Sequence, residues 1–240
     1  MFKTSTPPIR TNKYPTSDGR PMAETDKHRQ LMNELIETLK DWFAADPNVY
    51  VSGNLLLFYE EGNKRRHLAP DVFVVFGVPK RDRENYLLWE EGRGPSIVIE
   101  LTSSSTRRED TRQKLVLYRD VLRVPEYFLF DPFGDYLKPP LQGYRLADNE
   151  YRPIRLKDGR LRSRQLGLLL EPEGQTLRLV DAASGKCVPT RAENLRAAEQ
   201  ARFAAEESER EQTMARQAAD AEVERLRAEL AALRRKNGSA

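Results

Sequence analysis

Two stretches decide how this chain folds: PDVFVVF (70–76) and PSIVIELTSSSTRREDTRQKLVLYRDVLRVPEYFLFDP (95–132). Each opens on a proline followed by a continuous apolar run, the pattern of strands buried on both faces. Each run also carries an acid where charge is rarely placed unless it is paired or binds a metal: Asp71 at the start of the first, Glu100 near the end of the second. If the two strands are neighbours, both carboxylates meet at one end of a sheet. Such a pair, with remaining positions left to water and phosphate, suits Mg²⁺. The plainer alternative is that Pro-Asp merely starts a strand and Glu100 merely ends one.

Between the second strand and the next, EYFLFD (126–131), the spacing predicts a helix over about 107–122. Thr106-Arg107-Arg108-Glu109 fits a capping box. On a wheel with Asp110 at zero, Leu117, Val121, Tyr118, Leu122 and Leu115 span roughly −20° to 140°, and Lys114 falls near 40°, inside that apolar arc. A lysine on a core-facing stripe either pairs with Asp110 one turn back, snorkels to water, or points at the sheet end holding Asp71 and Glu100. In the last case it could orient a water or offset charge on a phosphate.

Outward from this centre, Leu31, Met32, Leu35, Ile36, Leu39, Trp42 and Phe43 recur at helical spacing and predict an amphipathic helix over 24–45, closed by Asp46-Pro47-Asn48. VYVSGNLLLFYE (49–60) reads as one strand, and short strands with turns at Asp158-Gly159 and Ser184-Gly185 fill 141–181. Helix, strands, helix, strand is the order of an α/β domain with a mixed sheet. Residues 1–21 hold Pro7, Pro8, Pro15 and Pro21 and read as a flexible arm. The expected organisation is this arm, a domain over 22–188, and a charged, alanine-rich helical tail over 189–240.

The charge is 40 Lys and Arg against 37 Asp and Glu, a net of +3. The tail balances ten against ten from Arg191 to Ala240, so the whole excess lies in the body. That balance excludes a protein that grips nucleic acid by bulk positive charge. Local patches are the alternative: Lys64-Arg65-Arg66, then Lys80, Arg81 and Arg83, then Arg107 and Arg108 beside the candidate site, then the basic residues of 152–164. No apolar run approaches the length of a membrane span. The lone Cys187 excludes an intrachain disulfide and a cysteine-cluster metal site, and with no apolar leader in MFKTSTPPIRTNKYP the chain is expected in the cytoplasm. In the tail, Val223, Leu226, Leu230 and Leu233 step by three and four, which fits either a solvated single helix or a coiled coil that makes a homodimer.

Over about 20–150, the chain resembles the PD-(D/E)XK nuclease superfamily and, more narrowly, the Uma-type restriction-endonuclease-like family. The resemblance rests on Pro70-Asp71, Glu100, Ser103, Asp110, Lys114, Tyr118, Glu126-Tyr127 and Asp131-Pro132 taken together, with Glu24 and His28 in the first helix. It implies a restriction-endonuclease-like mixed sheet flanked by helices, with Asp71 and Glu100 binding Mg²⁺ or Mn²⁺ and Lys114 completing a catalytic set for phosphodiester hydrolysis. Glu24, Thr102 and Asp110 would support that site, and Arg107 and Arg108 would meet phosphate. The implied partner is nucleic acid, DNA ahead of RNA. The superfamily's Glu-x-Lys is departed from here: Thr102 stands where the lysine would be, and Lys114 of the following helix matches the narrower family. That departure leaves open a protein that keeps the fold and binds nucleic acid without cutting it, or one that works through its coiled coil.

Overall fold

The computed structural model describes residues 14–17, 25–102 and 109–237; the side chains of 109–111 and 233–237 are outside the description. Residues 1–190 form one compact unit and 191–240 another.

The first unit is built on a six-stranded mixed sheet. In chain order its members are β1 (Val49–Ser52), β4 (Val72–Phe76), β6 (Ile97–Leu101), β7 (Glu126–Phe130), β8 (Leu141–Ala147) and β9 (Glu150–Pro153), and they lie side by side in that order. Only β6 and β7 run parallel; every other neighbouring pair is antiparallel. Two smaller sheets accompany it. One joins β2 (Leu57–Phe58), β3 (His67–Leu68) and β5 (Tyr86–Leu87), and the other joins β10 (Leu161–Arg162), β11 (Leu168–Glu173) and β12 (Thr176–Asp181).

Strand alternation sorts the core into two layers. Val72 and Val74 of β4, and Ile97, Ile99 and Leu101 of β6, pack with Leu31, Leu35 and Leu39 of helix α1 (Asp26–Trp42) and with the β11–β12 leucines. Phe73, Val75, Val98, Tyr127 and Leu129 face the opposite way, toward Tyr86, Tyr118, Leu122 and Val124. Helix α1 starts where Thr25 caps it: its side chain accepts the His28 N–H at 3.2 Å.

Several expectations change. The run 49–60 is two strands in two sheets, because the chain turns at Gly53-Asn54. Gly53 lies flat against the next strand's approach: a Cβ there would stand 1.9 Å from the Asp71 carbonyl oxygen, and Asn54 N–H donates to the Pro70 carbonyl at 2.8 Å. The helix after β6 is present, but it is π-helical over Glu109–Lys114 and Leu117–Val121. Its wider turn is visible in the Leu122 N–H, which donates five residues back to the Leu117 carbonyl at 3.0 Å. The expected arm is anchored at Tyr14. Its ring is buried against Phe58 and Trp89, and its hydroxyl accepts the Gly62 N–H at 2.7 Å. The turn at Asp158-Gly159 forms as expected, with positive φ at both residues (50° and 77°) and a bridge between Lys157 and Arg160.

The second unit is one helix, α2 for present purposes, over Arg191–Asn237, and its described side chains are exposed. No helix among the described residues is long and apolar enough to cross a membrane.

Candidate active site

The antiparallel register of β4 and β6 pairs Val72 with Ile99, so the next rung sets Asp71 opposite Glu100. Residues opposite each other in an antiparallel pair share a face. Here the shared face is the one covered by the π-helical segment. Glu100 is fully buried. The Asp71 backbone N–H points at its Oε2 (3.3 Å), while the Leu101 N–H donates to Asp71 Oδ2 at 2.7 Å. Each acid is thus held partly by the other strand's backbone.

Lys114 reaches this spot from the helix. Its ammonium lies 3.1 Å from Glu100 Oε2, with the side chain largely buried. One turn further on, Tyr118 donates its hydroxyl to Glu100 Oε1 at 2.6 Å. From the sheet's other side, His28 in the first turn of α1 brings Nε2 to 3.4 Å from Asp71 Oδ1. The structure therefore brings Asp71, Glu100 and Lys114 together at one end of the sheet.

The electrostatics follow from these contacts. Burial pushes the Asp71 carboxyl up, but the His28 hydrogen bond, the Lys114 and His28 charges and the Leu101 N–H outweigh it, and the net pKa lies below the ordinary value. Asp71 is therefore ionised at neutral pH. Burial, followed by the Glu100 charge, pushes the Tyr118 phenol well above its ordinary value. Tyr118 thus keeps its proton and is a fixed hydrogen-bond donor to Glu100.

The donor set fits a hard divalent cation. The two carboxylates offer oxygen ligands at one point, and together they carry one more charge than the Lys114 ammonium offsets. Among the described residues no three His, Cys, Asp or Glu side chains form a metal cluster by themselves. Two protein carboxylates plus water and substrate oxygens are what Mg²⁺ commonly accepts, and no thiolate stands among the described site residues for a soft metal. Thr102 adds a buried hydroxyl with no hydrogen-bond partner among the described residues. It lies two residues beyond Glu100, on the same face of the sheet.

Glu24, Arg107 and Arg108, like Ser103 and the Thr106 cap, fall outside the described residues; so does the Asp110 side chain. Other expected phosphate contacts turn out to be committed elsewhere. Lys80 donates to the Phe43 and Ala44 carbonyls at the end of α1. Arg83 is buried and holds both Glu91 oxygens at 2.8 Å while stacking 4.1 Å from the Tyr50 ring; Arg81 shares Glu91. Arg160 pairs with Glu171.

Two residues named in the resemblance, Tyr118 and His28, reach the site through contacts that the sequence does not show. Tyr118 was counted with the apolar stripe, although its place four residues after Lys114 was the available signal. His28 is placed by the sequence only in the first helix, with no sign of its approach to Asp71. Glu126, also buried, serves the fold: it accepts from Arg145, Ser163 and the Arg164 N–H, tying β7 to β8 and to the 163–165 turn.

A family model described as "Uma2: Putative restriction endonuclease" matches residues 9–189. A solved structure described as a "putative nuclease belonging to DUF820", from Anabaena variabilis, is similar at 14% identity and a TM-score of 0.44, over 60% of this chain and 75% of that one. No curated protein matches the chain.

Proposed function

The chain belongs to the Uma2 family of restriction-endonuclease-like proteins, and from that premise we propose that it is a metal-dependent endonuclease that hydrolyses phosphodiester bonds, with DNA as its substrate. The observation that carries the proposal is the meeting of one ammonium and two carboxylates at the end of β4 and β6: Lys114 Nζ within 3.1 Å of a Glu100 oxygen that also faces the Asp71 N–H.

Asp71 and Glu100 would hold Mg²⁺ or Mn²⁺, which when bound supplies polarisation of the phosphate and acidification of a water. The remaining work falls to the chain itself. Asp71 is kept ionised by its neighbours, so it needs no deprotonation before it acts. Tyr118 fixes one Glu100 oxygen and leaves the other toward Lys114 and Asp71. Lys114 offsets charge that develops on the phosphate or orients the attacking water, a role that requires it to remain protonated or to exchange a proton locally. Thr102, at the place where the wider superfamily has its lysine, offers a hydroxyl to water. Glu24 and Asp110 are proposed as support, and Arg107 and Arg108 as phosphate contacts at the entry to the Lys114 helix.

The test is cleavage of single- and double-stranded DNA and RNA with Mg²⁺ or Mn²⁺ by wild type, Asp71→Asn, Glu100→Gln and Lys114→Ala, each checked for folding. Wild type should cut DNA, and each variant should lose at least about 10²-fold, the scale of removing one well-placed catalytic group. A wild type that cuts none of the four substrates overturns the reading, as do folded variants that cut equally well.

A further inference from the structure

The last two heptads of the tail carry more than an apolar stripe. With Val223 at position a, Leu226 falls at d, Leu230 at a and Leu233 at d, and Ala219 is the d position before them. Val223, Leu226 and Leu230 are all about half exposed in the single chain. The Val223–Leu226 pair has valine at a and leucine at d, the choice that suits a two-stranded parallel coil, while the next a position is Leu230.

The flanking charges give an orientation. Positions g are Glu222 and Glu229; positions e are Asp220, Arg227 and Arg234. In a parallel, in-register pair each g residue faces the e residue five positions later on the other helix. Glu222 then meets Arg227 of the second copy, and Glu229 meets Arg234, each twice by symmetry. In an antiparallel pair g faces g and e faces e, which sets glutamate against glutamate and, at the centre, Arg227 against Arg227, with Asp220 against Arg234 as the one attractive e contact. In the single chain, Arg227 makes an exposed contact to Glu224 on its own helix (2.8 Å), and Glu222 makes one to Arg225 (2.7 Å). Such surface pairs are weak and do not compete with an interchain partner.

We propose that residues 219–234 are a parallel, in-register homodimerisation zipper whose occupant is a second copy of this chain. The zipper is short and does not extend upstream, since the preceding a and d positions are Arg216, Gln212, Glu209, Ala205 and Arg202. It therefore forms a concentration-dependent dimer in place of a permanent one. The proposal does not depend on cleavage activity.

The experiment is sedimentation of the full chain over a wide concentration range, beside a Leu226→Asp/Leu230→Asp variant. In parallel, an Asn237→Cys variant in a Cys187→Ser background is oxidised mildly. Wild type should move from monomer to dimer mass as concentration rises, the double-aspartate variant should stay monomeric, and the Asn237→Cys chain should form an interchain disulfide. A wild type that stays monomeric overturns the zipper. A dimer that survives both aspartates places the interface elsewhere and overturns it too. Dimerisation without the disulfide overturns the parallel orientation. None of these readings uses a nuclease assay, so they stand apart from the outcome for the active site.

Discussion

Removing the Tyr118 hydroxyl isolates what holds the buried acid in place. Tyr118→Phe leaves the ring, its packing against Tyr127 and the apolar layer unchanged, and deletes one hydrogen bond of 2.6 Å to Glu100 Oε1. The acceptor is a fully buried carboxylate, so the loss is that of a hydrogen bond to a charged group, about 1.5–3 kcal/mol. For a unit of the size of residues 1–190, that corresponds to a fall in Tm of about 3–12 °C. The same change made on Glu100→Gln removes a bond to a neutral acceptor, about 0.5–1.5 kcal/mol. Urea unfolding of all four proteins, with divalent cations chelated, should therefore give a coupling of about 1 kcal/mol or more. If Tyr118→Phe costs the same in both backgrounds, or nothing in either, Tyr118 is packing and not the fixed donor to Glu100.

Two further expectations follow from the same site. Because the folded-state pKa of Asp71 is depressed, its contribution to stability is fully present above the ordinary aspartate range and disappears as pH falls through the folded value; the stability gap between wild type and Asp71→Asn should close in acid below about pH 4 and be open at neutrality, and a gap independent of pH would contradict the assignment. Gly53→Ala would drive a methyl into the Asp71 carbonyl, so it should destabilise the fold by about 1–3 kcal/mol and lower cleavage beyond the fraction unfolded; unchanged activity per folded molecule would show that the turn does not position Asp71.

The sheet was legible because its periodicity is written in side chains. Residues 70–76 and 95–101 alternate and run apolar as only buried strands do, and the register that opposes Asp71 to Glu100 needs no more than their adjacency. Lys114 was legible for a related reason, as a charge inside an apolar arc. What stayed hidden depended on contacts distant in sequence or on backbone geometry. The break in 49–60 comes from Gly53 lying against Asp71, not from any weakness in the run VYVSGNLLLFYE. Lys80 looked available for phosphate because its acceptors, the Phe43 and Ala44 carbonyls, are more than thirty residues away. The π geometry of 109–121 leaves no mark on composition, since bonds five residues apart use the same amides as bonds four apart. His28 could be placed on a helix face, yet its nearness to Asp71 required knowing where α1 crosses the sheet.

That π segment also bears on how the chain tolerates changes in length. In an ordinary α-helix, deleting one residue turns everything beyond it by about 100° and swings a packed stripe out of the core. Here each wide turn already holds one residue more than α geometry needs. Loss of one residue from the Leu117–Val121 segment can be absorbed by closing five-residue hydrogen bonds to four, with the ends of the crossover staying where β6 and β7 require them. The crossover that delivers Lys114 thus stores spare length at the site, and a one-residue gap there is compatible with an unchanged strand order.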